Sequence, residues 1–172
     1  MRGFVVAQSE AAYFTHGVAS GDPLADRVIL WTRILPGSGQ NERIETTWQM
    51  AVDADFTSIV ASGVATTDAA RDYTVKVDAT GLQPDTRYFY RFVAHGLSSS
   101  IGRTRTLPKG EVAAFRIGVA SCSNYPQGYF NAYRDMAQSN LDLVLHLGDY
   151  IYEYPEGGYA NPVALEKLGR HV

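Results

Sequence analysis

Cysteine is almost absent: Cys122 is the single thiol in 172 residues, which excludes an internal disulfide and leaves the redox compartment open. Long apolar runs are missing too, none approaching the roughly 20 residues that cross a bilayer. Residues 1–8 hold one basic residue and a few apolar ones without the core of an export signal, and they are given no part in the fold. No cluster of positive charge occurs, since 15 Lys and Arg stand against 18 Asp and Glu. The electrostatic footprint of a nucleic-acid or anionic-membrane binder is therefore lacking. There is no internal repeat and no low-complexity segment. What the chain does have is 45% hydrophobic and 12% aromatic residues, enough for one large or two small cores.

Up to residue 106 the apolar residues come in short runs separated by turn chemistry. Segments 14–20, 27–34, 44–52, 59–65, 74–78, 87–95 and 102–106 read as strands, and seven strands at this spacing predict a β-sandwich. Turn signals follow several of them, as at Gly21-Asp22-Pro23, Pro36-Gly37-Ser38-Gly39 and Asp53-Ala54-Asp55. Alternation in the run 87–92 puts Tyr88, Tyr90 and Phe92 on one face and Arg87 and Arg91 on the other, the pattern of a strand with one wet side. Tyr73, Tyr88 and Tyr90 are expected in the core or on a sheet face, and His16 and His95 as structural or exposed residues.

The turn Gly81-Leu82-Gln83-Pro84-Asp85-Thr86-Arg87-Tyr88 resembles the approach to strand F of fibronectin type III and related sandwiches. That resemblance implies a tyrosine corner at Tyr88 and makes Trp31 the equivalent of the fold's core tryptophan. It covers about half the chain. Leu107-Pro108-Lys109-Gly110-Glu111 has linker composition, so the expected domains are 13–107 and 112–172.

After the linker the pattern changes. Apolar runs at 115–120 and 141–147 flank a stretch, 129–139, with helical spacing: Phe130, Tyr133 and Ala137 on one face, Asn131, Arg134, Asp135 and Gln138 on the other. A strand, a helix and a strand of this length form a right-handed crossover between parallel strands, which end on the same edge of the sheet. Cys122 and Asp149, just past the two strand ends, then lie side by side, where open α/β sheets bind their ligands. A thiol and a carboxylate there are poised to share a metal ion. Singly, Cys122 is a plain buried thiol and Asp149 a turn cap; their joint placement carries the reading. His146 reads as a hydrogen-bonded buried histidine rather than a ligand. Asn124 is placed to cap the following helix, whose N-terminus would favour a phosphate oxyanion, and so to line the site. A further helix is expected to begin at 163–168.

Four segments together resemble the PhoD-type alkaline phosphatases and phosphodiesterases, a branch of the metallophosphoesterases with an N-terminal β-sandwich. They are Thr15-His16-Gly17-Val18-Ala19-Ser20-Gly21-Asp22-Pro23, Val28-Ile29-Leu30-Trp31-Thr32-Arg33, Ala120-Ser121-Cys122, and His146-Leu147-Gly148-Asp149-Tyr150-Ile151-Tyr152-Glu153-Tyr154. By position the resemblance makes Cys122, Asp149 and Tyr152 ligands of ferric iron (Fe3+), with Asp149 also bridging to calcium (Ca2+). Thiolate, carboxylate and phenolate supply anionic charge suited to a highly charged ion, and a hard carboxylate oxygen suits Ca2+; Tyr152 alone would be a packing aromatic. Ser121-Cys122 stands where ordinary metallophosphoesterases have an Asp-x-His motif, which fits the PhoD branch. The resemblance further implies hydrolysis of a small phosphate monoester or diester and a secreted, periplasmic or cell-envelope location. It names no catalytic base and no oligomeric state.

The expected fold class is thus an all-β sandwich followed by the first βαβ unit of an α/β metallophosphatase domain. Two parallel strands and one helix bury too little apolar area to offset chain entropy. The expectation is therefore the N-terminal portion of a longer protein, or a second half that folds only with a partner, and a chain inactive by itself because further metal ligands are missing. The alternative from another functional class is a non-catalytic β-sandwich binding module with a vestigial or partner-dependent second half.

Overall fold

The computed structural model describes residues 13–36, 43–154 and 158–169. Residues 1–8, most of the turn expected at 36–39 and part of the loop after Tyr154 lie outside them. The chain divides into two compact units, Met1–Glu111 and Val112–Val172.

In the first unit β1 (Val18–Gly21), β2 (Arg27–Arg33) and β5 (Thr74–Thr80) form one antiparallel sheet in the order β1-β2-β5. The second sheet runs β4 (Ile59–Thr67), β3 (Ile44–Ala51), β6 (Arg87–Ala94), with the short β7 (Leu97–Ser98) and β8 (Gly102–Arg105) both paired to the far side of β6. The period-2 pattern decides which residues these sheets share. Val28, Leu30 and Thr32 of β2, Val75, Val77 and Ala79 of β5, and Tyr88, Tyr90 and Phe92 of β6 all turn inward and are buried. Together with Ile44 and Met50 most of them form one cluster between the sheets.

Polar groups inside that core are paired. The Thr32 hydroxyl donates to the Gly17 carbonyl at 2.9 Å, Thr46 to Val93 at 3.0 Å and Thr67 to Thr74 at 2.7 Å, so none leaves a buried donor without a partner. Tyr88 makes the expected corner: its buried hydroxyl accepts the Gln83 N–H at 2.8 Å. Gly102 has to be glycine for a different reason, because a Cβ there would overlap the Tyr90 ring.

Two expectations for this unit are corrected. Trp31 is not in the core: alternation along β2 sends it to the face opposite Leu30, where it is half-buried. The first strand starts at Val18 rather than at residue 14, because Thr15 and His16 occupy a turn closed by Gly17 at φ 68°. A 3-10 turn at Ala69–Arg71, capped by the Asp68 carboxylate, and the two-residue β7 were not anticipated.

The second unit holds β9 (Ile117–Ala120) and β10 (Leu143–His146), paired in parallel with Ile117 opposite Leu143 and Ala120 opposite His146. Between them lie a 3-10 turn, Tyr125–Gln127, and helix α1 (Asn131–Gln138). Helix α2 (Pro162–Leu168) follows, its first turn capped by the Asn161 side chain. Gly118 lets the crossover pack closely, since a Cβ would stand 2.7 Å from the Leu141 side chain. On α1 the half-buried residues are Tyr133 and Met136, whereas Ala137 is exposed; the sheltered stripe is one residue off the expected one. Val119 and Val144 remain 55% and 49% exposed, so the sheet they belong to is not covered among the described residues.

Candidate metal centre

Strands β9 and β10 are short and parallel, and their last registered pair is Ala120 with His146. Beyond that pair the two chains stay tied through their backbones. Leu147 N–H donates to the Ala120 carbonyl at 2.8 Å, Cys122 N–H to Gly148 at 3.2 Å and Ser123 N–H to Asp149 at 2.8 Å. Both chains then turn through the left-handed region, with φ 62° at Cys122, 116° at Gly148 and 52° at Asp149. For Cys122 and Asp149 this conformation costs roughly 1–2 kcal/mol each, and such residues concentrate at functional sites. The unfavourable turns bring two side chains together: Cys122 Sγ lies 3.7 Å from Asp149 Oδ2.

Tyr152 joins them, its hydroxyl donating to the same Oδ2 at 3.2 Å. The phenol is held well above the ordinary tyrosine range, first by its hydrogen bond to Cys122, then by burial and by Asp149. The phenol is thus kept in its protonated form by its two neighbours, and a cation bound among the three would reverse that. Metal–oxygen and metal–sulfur bonds of about 2.0–2.3 Å put neighbouring donors on one ion roughly 3.0–3.5 Å apart; the 3.2 Å separation falls in that range and the 3.7 Å one lies just outside it, a small closure away. The donor set therefore fits a metal ion. Among the described residues no cluster of three or more His, Cys, Asp or Glu exists; the third donor here is a phenol.

A cavity of about 530 Å³ opens beside these groups, with Cys122, Ser123, Asn124, Tyr129, Phe130 and Tyr152 in its wall. Asn124 occupies the position before the 3-10 turn but its side chain caps nothing, contrary to the expected capping role. Its Nδ2 donates instead to the Tyr159 carbonyl at 2.8 Å, which leaves Oδ1 buried without a partner at the cavity wall. Capping would need Oδ1 to accept an N–H of the turn, and with Nδ2 held by the Tyr159 carbonyl Oδ1 accepts none.

His146 is hydrogen-bonded as expected, though half-buried rather than buried; the group assembled around it was not anticipated. Ser123 Oγ lies 2.8 Å from His146 Nε2, Tyr133 OH lies 3.0 Å from the same nitrogen, and Ser123 and Tyr133 hydrogen-bond each other. The signal was present: Ser123 and His146 sit at neighbouring parallel strand ends, one residue after Cys122 and three before Asp149.

Comparisons with known proteins agree in extent with this division. The profile of the PhoD-like phosphatase N-terminal domain matches residues 3–108, and that of the PhoD-like phosphatases matches residues 117–171. Alkaline phosphatase D of Bacillus subtilis (strain 168) is 40% identical over 178 residues, covering 92% of this chain and 30% of that protein. A solved structure of PhoD superposes with a TM-score of 0.83 at 39% identity, covering 92% of this chain and 32% of the other. The chain thus spans about a third of the length of these relatives.

Proposed function

The chain belongs to the PhoD-like phosphatase family, and on that premise we propose that it supplies part of the metal centre of a phosphate-ester hydrolase acting on small monoesters or diesters. The observation that carries this is the convergence of Cys122, Asp149 and Tyr152 at two adjacent strand ends. Ferric iron is the ion proposed for this set, because a thiolate, a carboxylate and a phenolate together best balance a trivalent charge, with calcium sharing the hard Asp149 oxygen. Bound there, the metals would acidify a water and neutralise phosphoryl oxygens. The residues of this chain hold that charge in place: Cys122 and Asp149 by turns fixed to each other, Tyr152 by reaching the Asp149 carboxylate. The cavity alongside offers the substrate an aromatic wall and one free buried acceptor, Asn124 Oδ1.

Three donors leave coordination positions for other groups to fill. We therefore propose that the 172-residue chain by itself binds ferric iron only weakly and turns over no phosphodiester above background. A secreted, periplasmic or cell-envelope setting goes with the family reading; among the described residues no helix is long and apolar enough to cross a membrane.

The test is spectroscopic. Phenolate and thiolate bound to ferric iron give charge-transfer absorption in the visible, which calcium or zinc would not. On titration with a ferric salt the chain should develop such a band, Tyr152→Phe should shift or abolish it, and Cys122→Ser should lower iron affinity because a hydroxyl deprotonates far less readily than a thiol. A band indifferent to both substitutions removes this site from consideration. Robust hydrolysis of a chromogenic phosphodiester by the purified chain would overturn the view that its donor set is incomplete.

A further inference from the structure

We propose that His146 is a positioning residue for this centre, a hub that locks the Cys122 turn to the Asp149 turn; the inference rests on the metal-site reading above. Its imidazole touches both turns and the helix between them. Nε2 meets Ser123 Oγ at 2.8 Å, directly after Cys122, and Tyr133 OH at 3.0 Å on α1. On the other side of the ring, Gly148 N–H, directly before Asp149, points at Nδ1 at a long 3.4 Å. Tyr150, directly after Asp149, meets the ring edge-on with centroids 4.9 Å apart.

The arrangement favours one tautomer. With Nδ1 facing an N–H donor, the neutral ring carries its proton on Nε2 and donates it to the Ser123–Tyr133 hydroxyl pair, whose remaining protons complete the cluster. Each neighbour of a ligand is thereby held: Ser123 by Nε2, Gly148 by Nδ1, Tyr150 by ring contact. Such bracing is needed here, because Cys122 and Asp149 both occupy left-handed backbone that relaxes readily unless its surroundings prevent it. Groups that orient metal ligands in this manner commonly alter affinity by 10–100-fold when removed, on the order seen for other metal sites.

Hydrogen–deuterium exchange on the metal-free chain supplies a readout independent of any metal. The amides of Cys122 and Ser123 donate across the two turns. In His146→Leu and Ser123→Ala they should exchange about two- to tenfold faster, the opening expected from one lost hydrogen bond. Amides of β2 and β6 should keep their rates. His146→Gln, which retains an N–H donor near the Nε2 position, should recover part of the protection. With a ferric salt as probe, His146→Leu should weaken binding roughly 10–100-fold.

Unchanged exchange at Cys122 and Ser123 in both variants overturns the inference, as does unchanged ferric affinity. If His146→Leu unfolds the second unit, Ser123→Ala, which removes a single hydroxyl, decides the question. Cys122→Ser separates the two levels of the argument. Ferric binding lost in that variant but kept in His146→Leu leaves the metal-site reading standing and removes the positioning role. Binding indifferent to Cys122→Ser removes the reading, and the positioning role with it.

Discussion

At Tyr88 one hydroxyl ties the start of β6 to the turn before it, accepting the Gln83 N–H at 2.8 Å within a buried setting. Tyr88→Phe removes that acceptor while keeping the ring, so the expected loss is about 1 kcal/mol, the net size of an ordinary intramolecular hydrogen bond. A thermal melt followed by circular dichroism checks it, and an unchanged midpoint would mean the corner contributes nothing. Asp53 works in the same way at a different turn. Its carboxylate accepts the N–H groups of Thr57 and Ser58 at 2.9 and 2.8 Å, which holds its pKa below the usual carboxylate value. Those contacts fix a loop in which Phe56, at φ 56°, is buried beneath the Arg91 guanidinium. A depressed folded-state pKa means that the contribution is present above the unfolded value of about 3.9 and is lost as pH falls through the folded one. The stability difference between Asp53→Ala and the unchanged protein should therefore narrow as pH falls below about 4 and vanish only below the lower folded-state pKa, where the carboxylate is protonated in both states. A melt series across pH reads the effect, and a constant difference at every pH would sever it from Asp53 ionisation.

Elements were legible to the degree that their physical cause is local. Alternation identified the buried face of β6, and the turn before it identified the tyrosine corner, because both depend on residues a few positions apart. The same rule placed Cys122 and Asp149 together: a crossover of fixed hand returns its second strand beside the first, and both ends then meet at one edge. What local pattern missed was decided by distant partners. Trp31 is a separate case: its residue type and the resemblance suggested the core, while local alternation along β2 already sets it opposite Val28 and Leu30. Asn124 sits where a cap belongs, but the Tyr159 carbonyl, 35 residues away, takes its amide. The His146 cluster draws on β10, α1 and the turn after β9. No single window of sequence contains it, although its two strand-end members follow from the register once the crossover is drawn.

Across the whole molecule, burial is unequal. Of the hydrophobic residues described as buried, Ala164 is the one that lies in the second unit; all others belong to the first. The second unit instead exposes Ile117, Val119, Val144, Leu147 and Ile151, the last two at 69% and 71%. A two-stranded sheet with both edges unpaired gains little from its own packing and opens easily, whereas the sandwich closes its two sheets on one cluster. Local opening governs where a protease cuts. Trypsin should therefore act first at exposed Lys109, Arg116 and Arg134 and leave a resistant product ending near the 107–111 segment. Mass spectrometry of a brief digest gives the boundary. Equal survival of peptides from both units would show that the second is as cooperatively folded as the first, and the exposed β9–β10 sheet would then need a stabilising contribution that its own side chains do not provide. Protection that appears across 115–154 only after a ferric salt is added would place that contribution in the Cys122–Asp149–Tyr152 site, since a ligand that binds the folded form shifts the opening equilibrium in proportion to its occupancy.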